Sequence, residues 1–163
     1  MNARRLVTDG ILVAVALVLS YVEALIPLPV PVPGIKIGLA NIVTVYALYR
    51  AGAKDALGIS LLRVLLSGLL FGNGMSVLYS LAGAALSFAG MAYLKHTEKF
   101  KTVTVSVSGG VLHNLGQILI AAFFFRSGGV LLYLPALLAG GVLSGILIGL
   151  LAGILIDRIP KKD

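Results

Sequence analysis

The sequence predicts an all-α integral membrane protein, a six-transmembrane-helix bundle with both termini in the cytoplasm. Three observations predict it. Hydrophobic residues make up 59% of the 163-residue chain and charged residues 12%, with a mean hydropathy of +1.06, well outside the range of a soluble domain. The apolar residues gather into successive segments near the ~20 residues that a helix needs to cross a hydrocarbon core about 30 Å thick. Basic residues collect on alternate connections between those segments. So few residues remain outside them that the whole chain, 1–163, reads as a single transmembrane domain.

The spans are expected near 9–27, 35–51, 55–72, 74–94, 103–125 and 129–156. The first follows Arg4 and Arg5 and resembles a signal peptide only superficially. Asp9 and Glu23 flank its apolar stretch, and Ile26-Pro27-Leu28-Pro29 stands where a small-residue cleavage site is needed, so it reads as a mature helix. Between spans one and two, residues 27–36 hold four of the six prolines, too many for a helix to persist. This outer segment is expected to be stiff and extended, either a lid over a cavity or a rigid connector on the membrane surface. Spans three and four are joined by Phe71-Gly72-Asn73-Gly74, a tight turn in which Asn73 reads as a turn residue rather than a ligand contact. The last span is long enough to begin as a loop or half-helix.

The net charge of +7 has its explanation in topology. Arg4, Arg5, Arg50, Lys54, Lys95, Lys99, Lys101, Arg158, Lys161 and Lys162 fall on one side, ten of the thirteen basic residues. Lys36 and Arg126 fall on the other, and Arg63 lies within a span. The positive-inside rule assigns the basic side to the cytoplasm, so the charge marks orientation and not a nucleic-acid site.

Small residues predict how the helices pack. Gly141, Gly145, Gly149 and Gly153 recur every four residues in the last span, and Ala85 with Ala89, beside Gly83 and Ser87, repeat the pattern in the fourth. Such rows let backbones approach where lipid offers no hydrophobic drive between helices. The first span has two rows on different faces, Gly10–Ala14 and Ala16–Ser20–Ala24. Either both rows pack within the bundle, or one packs there and the other meets a partner protein.

The polar residues inside the spans are skewed towards mid-depth and the outer side. Asn41 follows the outer loop, Tyr21 and Glu23 end span one, Arg63 sits near the middle of span three, and Ser76, Tyr79 and Ser80 open span four. His113, Asn114 and Gln117 run from the middle of span five outward, with His113 and Gln117 one helical turn apart. A charge at mid-bilayer costs at least about 2.5–3.5 kcal/mol, so Arg63 is expected to face the interior. Glu23 is its candidate ion-pair partner, and a structural pair stands as the alternative to a solute contact. For His113, Asn114 and Gln117 the alternative is hydrogen bonding between helices, at about 0.6 kcal/mol each. Their grouping level with Asn41 and Arg63 favours one polar cavity.

Catalysis is not expected. The chain has no cysteine, and it lacks a His-x-x-x-His pair or another zinc-ligand cluster, a nucleophile within an acid–base set, and a phosphate-binding glycine loop. No cofactor or metal is expected, and any ATPase would be a separate subunit.

Gly34-Ile35-Lys36-Ile37-Gly38-Leu39-Ala40-Asn41, then Arg63 with Ser67-Gly68, then His113-Asn114-Leu115-Gly116-Gln117 resemble a bacterial membrane family. That family is labelled both heptaprenyl diphosphate synthase component I and Gx transporter family. It is similar in turn to the substrate-binding S components of energy-coupling factor (ECF) transporters. The resemblance implies a six-helix subunit that binds a vitamin or metabolite beneath the loop between spans one and two. It also implies docking, through small residues of span one, on a transmembrane scaffold protein with two ATPases. S components commonly carry Ala-x-x-x-Ala there, whereas this chain has the similarly sized rows given above.

The synthase label meets a chemical objection. Prenyl-chain elongation of the usual type needs clustered aspartates to hold magnesium and diphosphate. Asp9, Asp55, Asp157 and Asp163 are scattered, so only a non-catalytic accessory role in isoprenoid or quinone metabolism is compatible with the label. The reading carried forward is an importer's membrane-embedded substrate-binding subunit for a small polar or anionic solute, with that accessory role as the alternative. Lys36, Asn41, Arg63, Tyr79, His113, Asn114, Gln117 and Arg126 are the candidate solute contacts. Gly10, Ala14, Ala16 and Ser20 are the candidate docking residues.

Overall fold

The computed structural model describes residues 3–26, 37–126 and 128–159; the proline segment 27–36, with Lys36, lies outside them. The described chain is helical throughout: α1 (Ala3–Leu25), α2 (Asn41–Arg50), α3 (Ala53–Phe71), α4 (Gly74–His96), α5 (Thr102–Phe125) and α6 (Leu134–Arg158). A 3-10 stretch, Gly128–Tyr133, leads into α6 and matches the expected irregular start of the last span. Four helices are long and apolar enough to cross a membrane: α1, α4, α5 and α6 with its lead-in. Their length and composition are those of a membrane protein.

The second span departs from expectation. In place of a helix over 35–51, α2 has ten residues and rises only about 15 Å, half of a hydrocarbon core. Gly38, at φ +80°, turns the chain immediately before it, a conformation that only glycine adopts cheaply. Asn41 therefore opens the helix instead of lying inside it. The short helix is wedged among α1, α3 and α6, and Val43, Thr44, Val45, Ala47 and Leu48 are all buried. Helix α3 has 19 residues and carries Lys54, Asp55 and Arg63.

Packing is tightest across α4, α5 and α6, where glycines remove the side chains that would hold the backbones apart. A Cβ on Gly141 would stand 2.8 Å from the Gly110 carbonyl oxygen, and one on Gly145 would stand 2.5 Å from the Val107 Cα. Gly149 meets Val103 in the same way. Gly153 does not continue the row, since nothing approaches it, and Ala152 is the buried residue of that turn. In α4 the packed residues are Gly83 and Ser87; Ala85 and Ala89, expected to form the row, face outward. The helical period of 3.6 allows both pairs, and only the position of α5 chooses between them.

Helices α4, α5 and α6 run antiparallel in turn, as the contacts of Gly149 with Val103 and of Gly116 with Ala82 require, whereas α1 lies parallel to α3, its start beside Asp55 and its end beside Phe71. One end of the bundle thus gathers the start of α1, the end of α2, the start of α3, the α4–α5 turn and the end of α6. There the Arg5 Nε donates to Asp55 Oδ2 at 2.5 Å, and Arg50 donates to the Ile156 carbonyl oxygen near the end of α6. The basic residues within the described chain, apart from Arg63 and Arg126, lie at this end, as the charge pattern predicts. At the opposite end Tyr21 and Phe71 stack with ring centroids 5.1 Å apart. Asn73 caps α4 there, accepting from the Ser76 N–H at 2.9 Å while its own N–H donates to Ser76 Oγ, the turn role expected of it.

Candidate functional site

The interruption before α2 creates the site. Because the chain turns at Gly38, its backbone N–H points out of any helix and donates to Glu23 Oε1 of α1 at 2.5 Å. Three residues on, Asn41 Oδ1 accepts from Arg63 Nη2 of α3 at 3.0 Å. The lead-in to α2 thus holds one acid and one base from two different helices.

Around them α4, α5 and α6 complete a cavity of about 60 Å³. Its walls include Glu23, Asn41, Arg63, Ser80, His113, Asn114, Gln117 and Ser144. Five of the eight candidate solute contacts (Asn41, Arg63, His113, Asn114 and Gln117) are therefore brought together. A second cavity of about 530 Å³ shares Glu23, Arg63 and Ser80 with the first and extends past Ser67, Asn73 and Ser76 to Ile26 and Phe71. That volume lies within the usual range for a small-molecule site. Below the first cavity a void of about 20 Å³ is lined by Asn41, Ser87, Ser106 and Ser144, room for about one water molecule.

The residues in the cavity are not equivalent. Arg63 reaches Asn41 with one nitrogen, while its Nε is enclosed and has no hydrogen-bond partner among the described residues. A buried guanidinium N–H without a partner is costly, and the guanidinium as a whole borders the cavity, where an anionic group would pair with its charge. Asn114 Nδ2 donates to the Leu137 carbonyl oxygen at 2.6 Å, so its amide ties α5 to α6, the structural role weighed for it. His113 packs on Gly83, where a Cβ would stand 2.8 Å from the His113 carbonyl oxygen and 2.9 Å from the imidazole. Glycine at 83 is what allows α4 to lie against that ring.

Other expectations need correction. Glu23 and Arg63 form no direct ion pair: no carboxylate oxygen lies within 4.0 Å of a guanidinium nitrogen, because each group is held by a different residue of the α2 lead-in. Tyr79 is not in the polar cavity. It lines an apolar crevice of about 390 Å³ with Phe125, Tyr133 and Leu137, which Gln117 also reaches. Arg126 caps the end of α5 at φ +48°, exposed and outside these cavities. Lys36 lies outside the described residues. Of the docking residues, Gly10 and Ala14 are exposed, whereas Ala16 is buried and Ser20 partly buried against the bundle, so the second row packs internally up to Ser20 and is exposed at Ala24.

Sequence reasoning missed Ser144. It lies beside Gly145 in the close-packed face of α6, and that adjacency was the available signal. Among the described residues no group of three His, Cys, Asp or Glu side chains could hold a metal ion.

The chain matches the family model described as heptaprenyl diphosphate synthase component I over residues 12–155. It belongs to that family. The match includes every cavity residue from Glu23 to Ser144, so the family's shared region contains the site. No curated protein and no solved structure matches the chain.

Proposed function

We propose that this chain is the membrane-embedded solute-binding subunit of an importer of the ECF type, taking a small polar solute from the outer face. The observation that carries the reading is the convergence of Glu23, Asn41, Arg63, His113 and Gln117 on one cavity away from the basic end of the bundle. A bundle that merely spans has no reason to maintain a guanidinium without a full set of partners, because intramembrane charge is expensive unless it serves a site. The positive-inside rule assigns the basic end, and with it both termini, to the cytoplasm of a cell membrane. Arg63 binds an acidic group, Asn41, His113 and Gln117 orient the solute, and Lys36 and Arg126 attract it to the mouth. The exposed Gly10–Ala14 row of α1 is the surface offered to a transmembrane scaffold protein, whose two ATPases supply the energy. No nucleic acid takes part, and the chain itself is not an enzyme.

The family's description favours a second reading, a non-catalytic membrane subunit assisting a separate polyprenyl diphosphate synthase. Arg63 would then meet a diphosphate. Purification of the tagged protein from its native membrane, with mass spectrometry of the proteins that accompany it, separates the two. A transmembrane scaffold with two ATPases is expected; a prenyl synthase without them overturns the importer reading.

A further inference from the structure

We infer that the solute is a zwitterion, a molecule with a cationic amine and an acidic group, rather than a simple anion. The inference rests on the solute-binding reading and adds the charge type of the ligand. Glu23 and Arg63 are the only charged side chains among the described residues lining the two joined cavities, and both line each of them. Their charges cancel, yet they are not in contact.

Opposite charges in a poorly hydrated interior attract strongly, and free side chains would close on each other. Here they are held apart. Gly38 N–H holds one carboxylate oxygen of Glu23, and Asn41 holds one nitrogen of Arg63, with the guanidinium Nε enclosed and without a partner among the described residues. A pair built for stability alone would pay desolvation for both groups and forgo their attraction. A pair built to be bridged loses nothing once a ligand lies between them.

The ligand's charge follows from this arrangement. A dianion such as a diphosphate would satisfy Arg63 but meet the Glu23 carboxylate across the same cavity. A simple cation would do the reverse. A zwitterion presents its acid to Arg63 and its amine to Glu23, while the Ser80 side chain, which lines both cavities, faces a polar body.

The test uses the full-length protein in lipid nanodiscs and reads the shift in its thermal unfolding. The probes are β-alanine, 4-aminobutyrate and phosphoethanolamine, each beside analogues lacking the amine or the acid, together with pyrophosphate. At least one zwitterion is expected to stabilise the protein, with its single-charge analogues weaker by more than about tenfold. Glu23→Gln, which still offers Gly38 an acceptor, should abolish that preference, whereas Arg63→Lys should retain it at reduced affinity. Stabilisation by pyrophosphate or a carboxylate that Glu23→Gln leaves unchanged or enhances overturns the inference. So does anion binding that disappears in Lys36→Gln, for Lys36 would then offset Glu23. Absence of any shift also overturns it, while the importer reading stands or falls separately on the proteins that co-purify.

Discussion

Arg63 and Asn114 illustrate how similar polar residues in a membrane interior take opposite roles. The amide of Asn114 donates to the Leu137 carbonyl, whereas the guanidinium of Arg63 lines the cavity and its enclosed Nε has no hydrogen-bond partner among the described residues. Asn114→Ala is therefore expected to lower the stability of the purified protein by about 0.6 kcal/mol, the usual worth of such a bond between membrane helices. Thermal unfolding in detergent measures it, and solute uptake should fall little. Gln117→Ala is expected to do the converse, reducing uptake several-fold with little change in unfolding, because its side chain lines the cavity and no hydrogen bond among the described residues ties it to another helix. Equal losses of stability in the two variants would deny this division of labour. Residue types alone do not separate Asn114 from Gln117: both lie on the outer half of α5, and only the position of α6 gives one of them a carbonyl.

Among the elements, the close packing of α5 on α6 rests on glycine, and the small-residue rows differ in whether anything lies against them. Gly110→Ala would drive a methyl group into the Gly141 carbonyl oxygen, an overpacking that costs about 1–3 kcal/mol. Gly153→Ala meets nothing and should be neutral, or stabilising by up to about 1 kcal/mol through helix propensity. Unfolding midpoints of the two variants, compared side by side, check this pair. On α1 the exposed Gly10–Ala14 row makes a different prediction. Ala14→Phe should leave folding unchanged and remove the scaffold protein from co-purified material, whereas Ala16→Phe should impair folding itself. The existence of these rows was legible from four-residue spacing. Which of two rows on a helix is covered was not, because spacing describes one helix and coverage depends on its neighbour.

For the whole molecule, orientation is the property most open to test, since the chain has no native cysteine to obscure labelling. With the basic end in the cytoplasm, an impermeant maleimide added to intact cells should label Arg126→Cys and leave Lys99→Cys unlabelled until the membrane is opened. The reverse pattern would invert the topology and put the cavity on the inner side. The helical class, the membrane setting and the clustering of basic residues at one end were all determined by the sequence itself, because hydrophobic segment length and charge placement are properties of the linear chain facing lipid and water. Tertiary structure alone decided that α2 is a short wedged helix, that Glu23 and Arg63 share a cavity without touching, and that Tyr79 and Arg126 stand apart from it. Those outcomes depend on which helices meet and at what depth a turn such as Gly38 interrupts them, and through-space contact of that kind leaves no trace in local spacing.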